Sequence, residues 1–210
     1  MLKRWAVAAA VLAELWIFGA SAYATNNDSL YGNVTSGQTA KAGAALNDLE
    51  INGWNGILFG KNQSEIEAIA RGLKLQKIDA NTVYNRYWQL DFHGVQDAVL
   101  VVDFDVDNKS YQLTIIKEYF PDDRFTKSED VENINNIPDI GSIRNIQAAI
   151  KGRYGTPSFA KTLANGNIEK SSWMFKNGYI YISVDPRYFV MTYGLKQGEH
   201  YANMKDEFTE

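Results

Sequence analysis

Apolar residues recur along this chain at two spacings, and the spacing predicts the elements. Within SEIEAIARGL, Ile66, Ile69, Ala70 and Leu73 fall three and four apart, the interval that lines one face of a helix. Ser64 and Glu67 form a capping-box pattern at its start, and Gly72 suggests its end. Within SIRNIQAAIKGRYGTP the stripe returns as Ile143, Ile146 and Ile150, closed by Gly155 and Pro157. Elsewhere apolar and polar residues alternate singly, as in AVLVV and YQLTII on either side of DFDVDNKS, and in YIYISVDPRYFVMTYG. That period predicts strands joined by tight turns, one of them at Asn177-Gly178.

The order helix, variable loop, tryptophan-bearing strand, turn, apolar strand, turn, strand is read twice, from about Asn62 to Lys117 and again from about Ser142 to Lys196. Ile66, Ala68, Arg71 and Gly72 lie over Ile146, Ala148, Lys151 and Gly152, and Trp88 and Trp173 each open a sheet segment. The expected fold is α+β: two similar helix-plus-antiparallel-sheet units in tandem, residues 44–120 and 140–196, read as a duplication with two unrelated α+β units as the alternative. The stretch PDDRFTKSEDVENINNIPD reads as an acidic linker over 121–139. Residues 25–43, rich in Asn, Ser, Thr and Gly, read as a flexible segment, and 197–210 as a polar tail.

The beginning of the chain adds a compartment. Lys3 and Arg4 precede a nearly unbroken apolar run from Trp5 to Gly19, and Ala22-Tyr23-Ala24 offers a small-x-small cleavage site, so residues 1–24 read as a signal peptide. The run is shorter than the roughly 20 residues that span a bilayer, and Glu14 interrupts it, so no stable membrane insertion is expected after cleavage. Removing those 24 residues leaves 186 of 210, enough for a substantial core, and there is no cysteine to staple it. The expected location is the bacterial envelope, periplasmic or secreted. Without Lys3, Arg4 and Glu14 the formal net charge of −4 becomes −5, and no basic cluster offsets it, which argues against nucleic acid as a partner.

Candidate chemistry is sparse. Asp103, Asp105 and Asp107 are spaced like the start of a calcium loop, but the positions that need glycine and glutamate hold Asn108 and Thr114, so a hairpin with solvent-facing carboxylates is expected and no metal site. There is no Gly-x-Ser-x-Gly elbow and no phosphate-cradling glycine loop, and the two histidines, His93 and His200, fall in a turn and in the tail. No cofactor and no catalytic residue is assigned, although an enzyme built from Asp and Glu stays open.

Aromatic residues are concentrated on the last hairpin. With Asp185-Pro186-Arg187 as a three-residue turn, Ser183 pairs with Phe189, Tyr181 with Met191 and Tyr179 with Tyr193 on one face. That face either packs inside the molecule or forms a tyrosine-rich recognition surface, whose candidate contacts are Trp88, Trp173, Tyr179, Tyr181, Phe189, Met191 and Tyr193. The arrangement resembles the tandem helix-plus-sheet units of β-lactamase-inhibitor-like proteins, a group that includes small envelope proteins of the outer-membrane assembly type. The resemblance covers most of the chain after residue 24 as an order of elements, and the missing cysteines depart from the disulfide-bearing inhibitors. It implies a non-catalytic module that binds a protein partner, another envelope protein or an enzyme. The alternative is an envelope hydrolase or carbohydrate-binding protein using Asp and Glu with aromatic platforms.

Overall fold

The structure is a computed structural model and describes residues 30–31, 34–35, 46–78, 85–119, 133–163 and 166–209. Four two-residue strands come first: β1 (Val34–Thr35), β2 (Glu50–Ile51), β3 (Gly53–Trp54) and β4 (Ile57–Leu58). Helix α1 (Gln63–Gly72) is followed by β5 (Gln76–Ile78), β6 (Asn85–Phe92), β7 (Val95–Phe104) and β8 (Ser110–Glu118). Helix α2 (Ile140–Tyr154) is followed by β9 (Phe159–Leu163), β10 (Ile168–Met174), β11 (Gly178–Val184) and β12 (Tyr188–Leu195), and helix α3 (Gly198–Thr209) comes last. Strands β5 to β12 make one antiparallel sheet in the order β5-β6-β7-β8-β12-β11-β10-β9, while β1 pairs with β2 and β3 with β4. The α+β expectation therefore holds at the level of helices on a mostly antiparallel sheet.

Local chemistry explains the helix ends. Asn62, not Ser64, caps α1: its side chain accepts from the Glu65 N–H at 3.0 Å and the Glu65 carboxylate accepts from the Asn62 N–H at 2.9 Å. Asn62 with Glu65 satisfies the same three-residue spacing two positions earlier, and Ser64 instead donates its hydroxyl to Asn62 at 2.7 Å. Ile66 and Ala70 of α1 and Ile143, Ile146 and Ile150 of α2 are buried, and Gly155 ends α2 at a φ of 78° that glycine adopts without strain.

These helices cover one face of the sheet. Register carries a single apolar row across β6, β7, β8, β12 and β11: Trp88 opposite Leu100, Leu100 opposite Ile115, Ile115 opposite Met191, and Met191 opposite Ile182. All belong to one hydrophobic cluster that also holds the buried helix residues and Ile51, Trp54 and Ile57 from the short strands, so both halves of the chain share one core. Burying side chains of this size stabilises by about 1.5–3 kcal/mol each, and a continuous row makes the two halves mutually dependent.

The last hairpin is tighter than the three-residue turn expected from the sequence. Asp185 and Tyr188 exchange backbone hydrogen bonds at 3.0 and 3.2 Å, leaving only Pro186 and Arg187 in the loop. The Asp185 carboxylate accepts from the N–H groups of Arg187 (2.7 Å) and Tyr188 (2.9 Å), a local turn that Pro186 favours through its fixed φ. The register slips by one residue: Val184 pairs with Phe189, Ile182 with Met191 and Ile180 with Tyr193. A slip of one moves side chains to opposite faces, so Phe189, Met191 and Tyr193 lie in the core while Tyr179 and Tyr181 lie on the other face.

Segments expected to be loose are partly tied in. Leu30 is buried, its carbonyl accepting the Tyr193 hydroxyl at 2.6 Å, and the Tyr31 ring meets Tyr154 edge-on beneath the Arg153 guanidinium. Asn177 does not take a positive φ in a tight hairpin. Its amide instead bridges Ile51, accepting from the N–H and donating to the carbonyl, both at 2.9 Å, and so docks β2 on the β10–β11 turn. The end of the acidic stretch buries Ile134 and Ile137, while 121–132 and the leader 1–24 fall outside the described residues. The polar tail is helix α3, because Tyr201 and Met204, three apart, give it one side that packs on the sheet.

Candidate binding face

The sheet face opposite α1 and α2 is organised in rows set by strand register. The first row runs Asn85, Asp103, Gln112, Gly194, Tyr179 across β6, β7, β8, β12 and β11. Its polar groups form one hydrogen-bonded chain. Tyr179 donates its hydroxyl to Gln112 Oε1 (2.9 Å), Gln112 Nε2 donates to Asp103 Oδ2 (2.7 Å), and Asn85 donates to Asp103 Oδ1. Tyr179 reaches over β12 only because residue 194 is glycine: a Cβ there would sit 2.7–2.8 Å from the outer ring atoms and the hydroxyl of Tyr179. Asp103 and Gln112 are 8% and 1% exposed, so each polar atom in this row needs the partner it has. Burial, then the Asp103 charge, pushes the Tyr179 hydroxyl well above its ordinary pKa, in keeping with its role as donor to Gln112.

The second row is Tyr87, Val101, Thr114, Thr192, Tyr181 and Ser172, with the two threonine hydroxyls 3.3 Å apart. In the third, Val99, Ile116 and Val190 form an apolar band continued by Ser183, Lys170 and Lys161. Tyr87, Tyr181, Val99, Ile116 and Val190 are half-buried, so this band and its flanking tyrosines keep accessible area. Beyond it Glu118 stands opposite Tyr188, near Asp185; burial raises the pKa of both carboxylates. Helix α3 reaches this face at its far side, where the Tyr201 ring lies 5.8 Å from that of Tyr179.

The seven aromatic and sulfur candidates do not share a surface. Trp88, Trp173, Phe189, Met191 and Tyr193 are at most 2% exposed and belong to the core, where an aromatic surface cannot be offered to a partner. Trp173 also donates its indole N–H to the Gly155 carbonyl at 3.0 Å, bracing the end of α2. Tyr179 is buried in the polar row, and Tyr181 alone keeps exposed area on the candidate face. Tyr87, Val99, Ile116 and Val190 were missed because their alternation places them on a face whose sidedness depends on pairing partners distant in sequence.

Of the carboxylates near DFDVDNKS, Asp105 holds the expected turn, accepting from the N–H groups of Asp107 (3.0 Å) and Lys109 (2.8 Å). Asp103 is buried and not solvent-facing, because Gln112 is its register partner. His93 sits at a φ of 49° in the β6–β7 turn and is half-buried, which lowers its pKa. Among the described residues no three His, Asp or Glu side chains gather closely enough to hold a metal ion, and no helix is long and apolar enough to cross a membrane. No family model, curated protein or solved structure matches this chain.

Proposed function

We propose that this protein is an exported, non-catalytic binding module of the bacterial envelope that recognises another envelope protein or an enzyme through the sheet face opposite α1 and α2. The observation that carries the reading is the half-buried band Val99–Ile116–Val190, bordered by the row that holds Tyr87 and Tyr181, on a face whose next row, Asp103, Gln112 and Tyr179, is hydrogen-bonded in place. Apolar area with tyrosines at its border, on rigid strands, gives contact surface at low entropic cost. The apolar leader through Gly19 and the absence of cysteine support the compartment. The repeated order of one helix and four strands, meeting at β8 and β12, supports reading residues 44–120 and 140–196 as two copies of one unit. It is also in keeping with the β-lactamase-inhibitor-like resemblance.

The test is capture from envelope extract by the immobilised chain from Thr25, compared with Tyr181→Ala and Val190→Ser variants whose circular dichroism matches the parent. A protein retained by the parent and lost by both variants is the expected result. Retention that ignores both substitutions would show that the face is wrong. A second reading, glycan binding or hydrolysis, draws on Glu118 and Asp185 flanking Tyr188 with raised pKa values. It gains ground if no protein is captured and an oligosaccharide shifts the Tyr188 amide.

A further inference from the structure

Three Asn-Gly steps lie wholly within the described residues, Asn52-Gly53, Asn55-Gly56 and Asn177-Gly178, and the fold holds them differently. In such a step the glycine nitrogen, once deprotonated, can attack the asparagine side chain, because glycine has no Cβ to hinder the approach. A bond forms from the glycine N to the asparagine Cγ, the Cγ–Nδ2 bond breaks, and ammonia leaves with the proton. Water then opens either carbonyl of the succinimide ring, giving aspartate or isoaspartate, so solvent is the only other reactant.

Two of the steps are closed to this attack. The Asn177 amide accepts from the Ile51 N–H and donates to the Ile51 carbonyl, both at 2.9 Å, and Ile51 has no exposed area. The space beside Gly178 is filled by the Gly194 carbonyl and the Ile51 side chain. Two hydrogen bonds of ordinary net strength hold such an amide closed by a factor of about ten or more. At Asn52 the carbonyl accepts from the Phe59 N–H at 2.8 Å, and Gly53 is buried with the Ile57 carbonyl against it.

Asn55-Gly56 differs on each count. These two residues are the whole loop between β3 and β4, at φ of 48° and 81°, so the tight Asn-Gly turn expected at 177–178 is found here instead. Gly56 is exposed, with no atom within 4 Å of where a Cβ would stand. Among the described residues neither the Asn55 side chain nor the Gly56 N–H takes a hydrogen bond. The flanking residues carry the consequence. Trp54 and Ile57 are 1% and 0% exposed, and the Trp54 ring lies 6.1 Å from Phe92 of β6 and 6.4 Å from Tyr193 of β12. Isoaspartate adds a methylene to the backbone, and a two-residue loop has no slack to absorb it.

We infer that Asn55 is a site of spontaneous deamidation whose isoaspartyl product loosens the β3–β4 hairpin from the core shared by both halves of the chain. The change runs one way in water and gives the folded protein a stability that declines with age. It is independent of any partner on the sheet face.

The experiment incubates the chain from Thr25 at mildly alkaline pH, folded or in guanidinium chloride. Peptide mapping by mass spectrometry follows each asparagine and separates aspartyl from isoaspartyl products; Asn165, outside the described residues, falls in a different peptide. In the folded chain Asn55 should react faster than Asn52 and about tenfold or more faster than Asn177, and the three rates should converge in denaturant. A folded-state rate at Asn55 no greater than at either of the others would overturn the assignment. So would a spread of rates that persists in denaturant, since the preference would then belong to the sequence and not the fold. Thermal unfolding of aged parent should show a lower-melting population that grows with isoaspartate at 55. Aged Asn55→Gln, in which ring closure is slower, should lack it, and an equal loss of stability in that variant would overturn the effect on the hairpin.

Discussion

Replacing Gly194 by alanine tests the polar row at its narrowest point. The three atoms nearest to the added methyl all belong to Tyr179, at 2.7–2.8 Å, closer than a real Cβ contact. Something must move, and a tyrosine that is 2% exposed and hydrogen-bonded to Gln112 at 2.9 Å moves at a cost. If the ring is compressed in place, overpacking costs about 1–3 kcal/mol. If it swings away, buried Gln112 Oε1 loses its donor, again about 1–3 kcal/mol. These are alternative outlets for one strain, so Gly194→Ala is expected to destabilise by about 1.5–3 kcal/mol, a fall in Tm of about 4–8 °C for a chain of this size. Urea unfolding followed by tryptophan fluorescence measures the loss, and the Tyr179→Leu background identifies its source. With the ring removed, the same methyl should be nearly neutral, or slightly stabilising because alanine has less freedom than glycine to lose on folding. The double-mutant cycle should therefore show coupling of about 1 kcal/mol or more. An equal cost of Gly194→Ala in both backgrounds would refute the claim that the glycine exists to let Tyr179 pass.

Two further outcomes follow from other contacts. Asn177→Ala strips both hydrogen-bond partners from the backbone of Ile51, a residue with no exposed area, and should cost about 2 kcal/mol or more; hydrogen exchange at the Ile51 amide should accelerate, and unchanged protection there would contradict the docking role assigned to Asn177. Glu169 is held below its ordinary pKa, chiefly by the hydrogen bonds from Arg144, so its stabilisation is fully present above the unfolded-state value near 4.5 and is lost as pH falls through the lowered folded value. Because the pair is partly exposed, the contribution is about 1 kcal/mol or less, and Glu169→Gln should flatten that part of the acid limb in pH-dependent unfolding. An acid limb identical to the parent's would show that the pair contributes nothing measurable.

The periodic pattern determined the elements that depend on neighbours a few residues away. The stripes Ile66–Ala70 and Ile143–Ile150, the strands flanking DFDVDNKS and the glycine that ends α2 all follow from local spacing and local backbone freedom, and all are present. The face occupied by each aromatic residue did not follow, because it rests on a one-residue choice of register at Asp185. There a carboxylate accepting two backbone N–H groups selects a two-residue loop and sends Tyr193 inward and Tyr181 outward. The polar row was equally invisible in the sequence. Asn85, Asp103, Gln112, Gly194 and Tyr179 lie far apart along the chain, and only the pairing of β8 with β12 brings them into line. Short-range propensity sets where helices and strands form; long-range strand pairing, driven by closing one shared core, decides which side chains meet and which face is left for a partner.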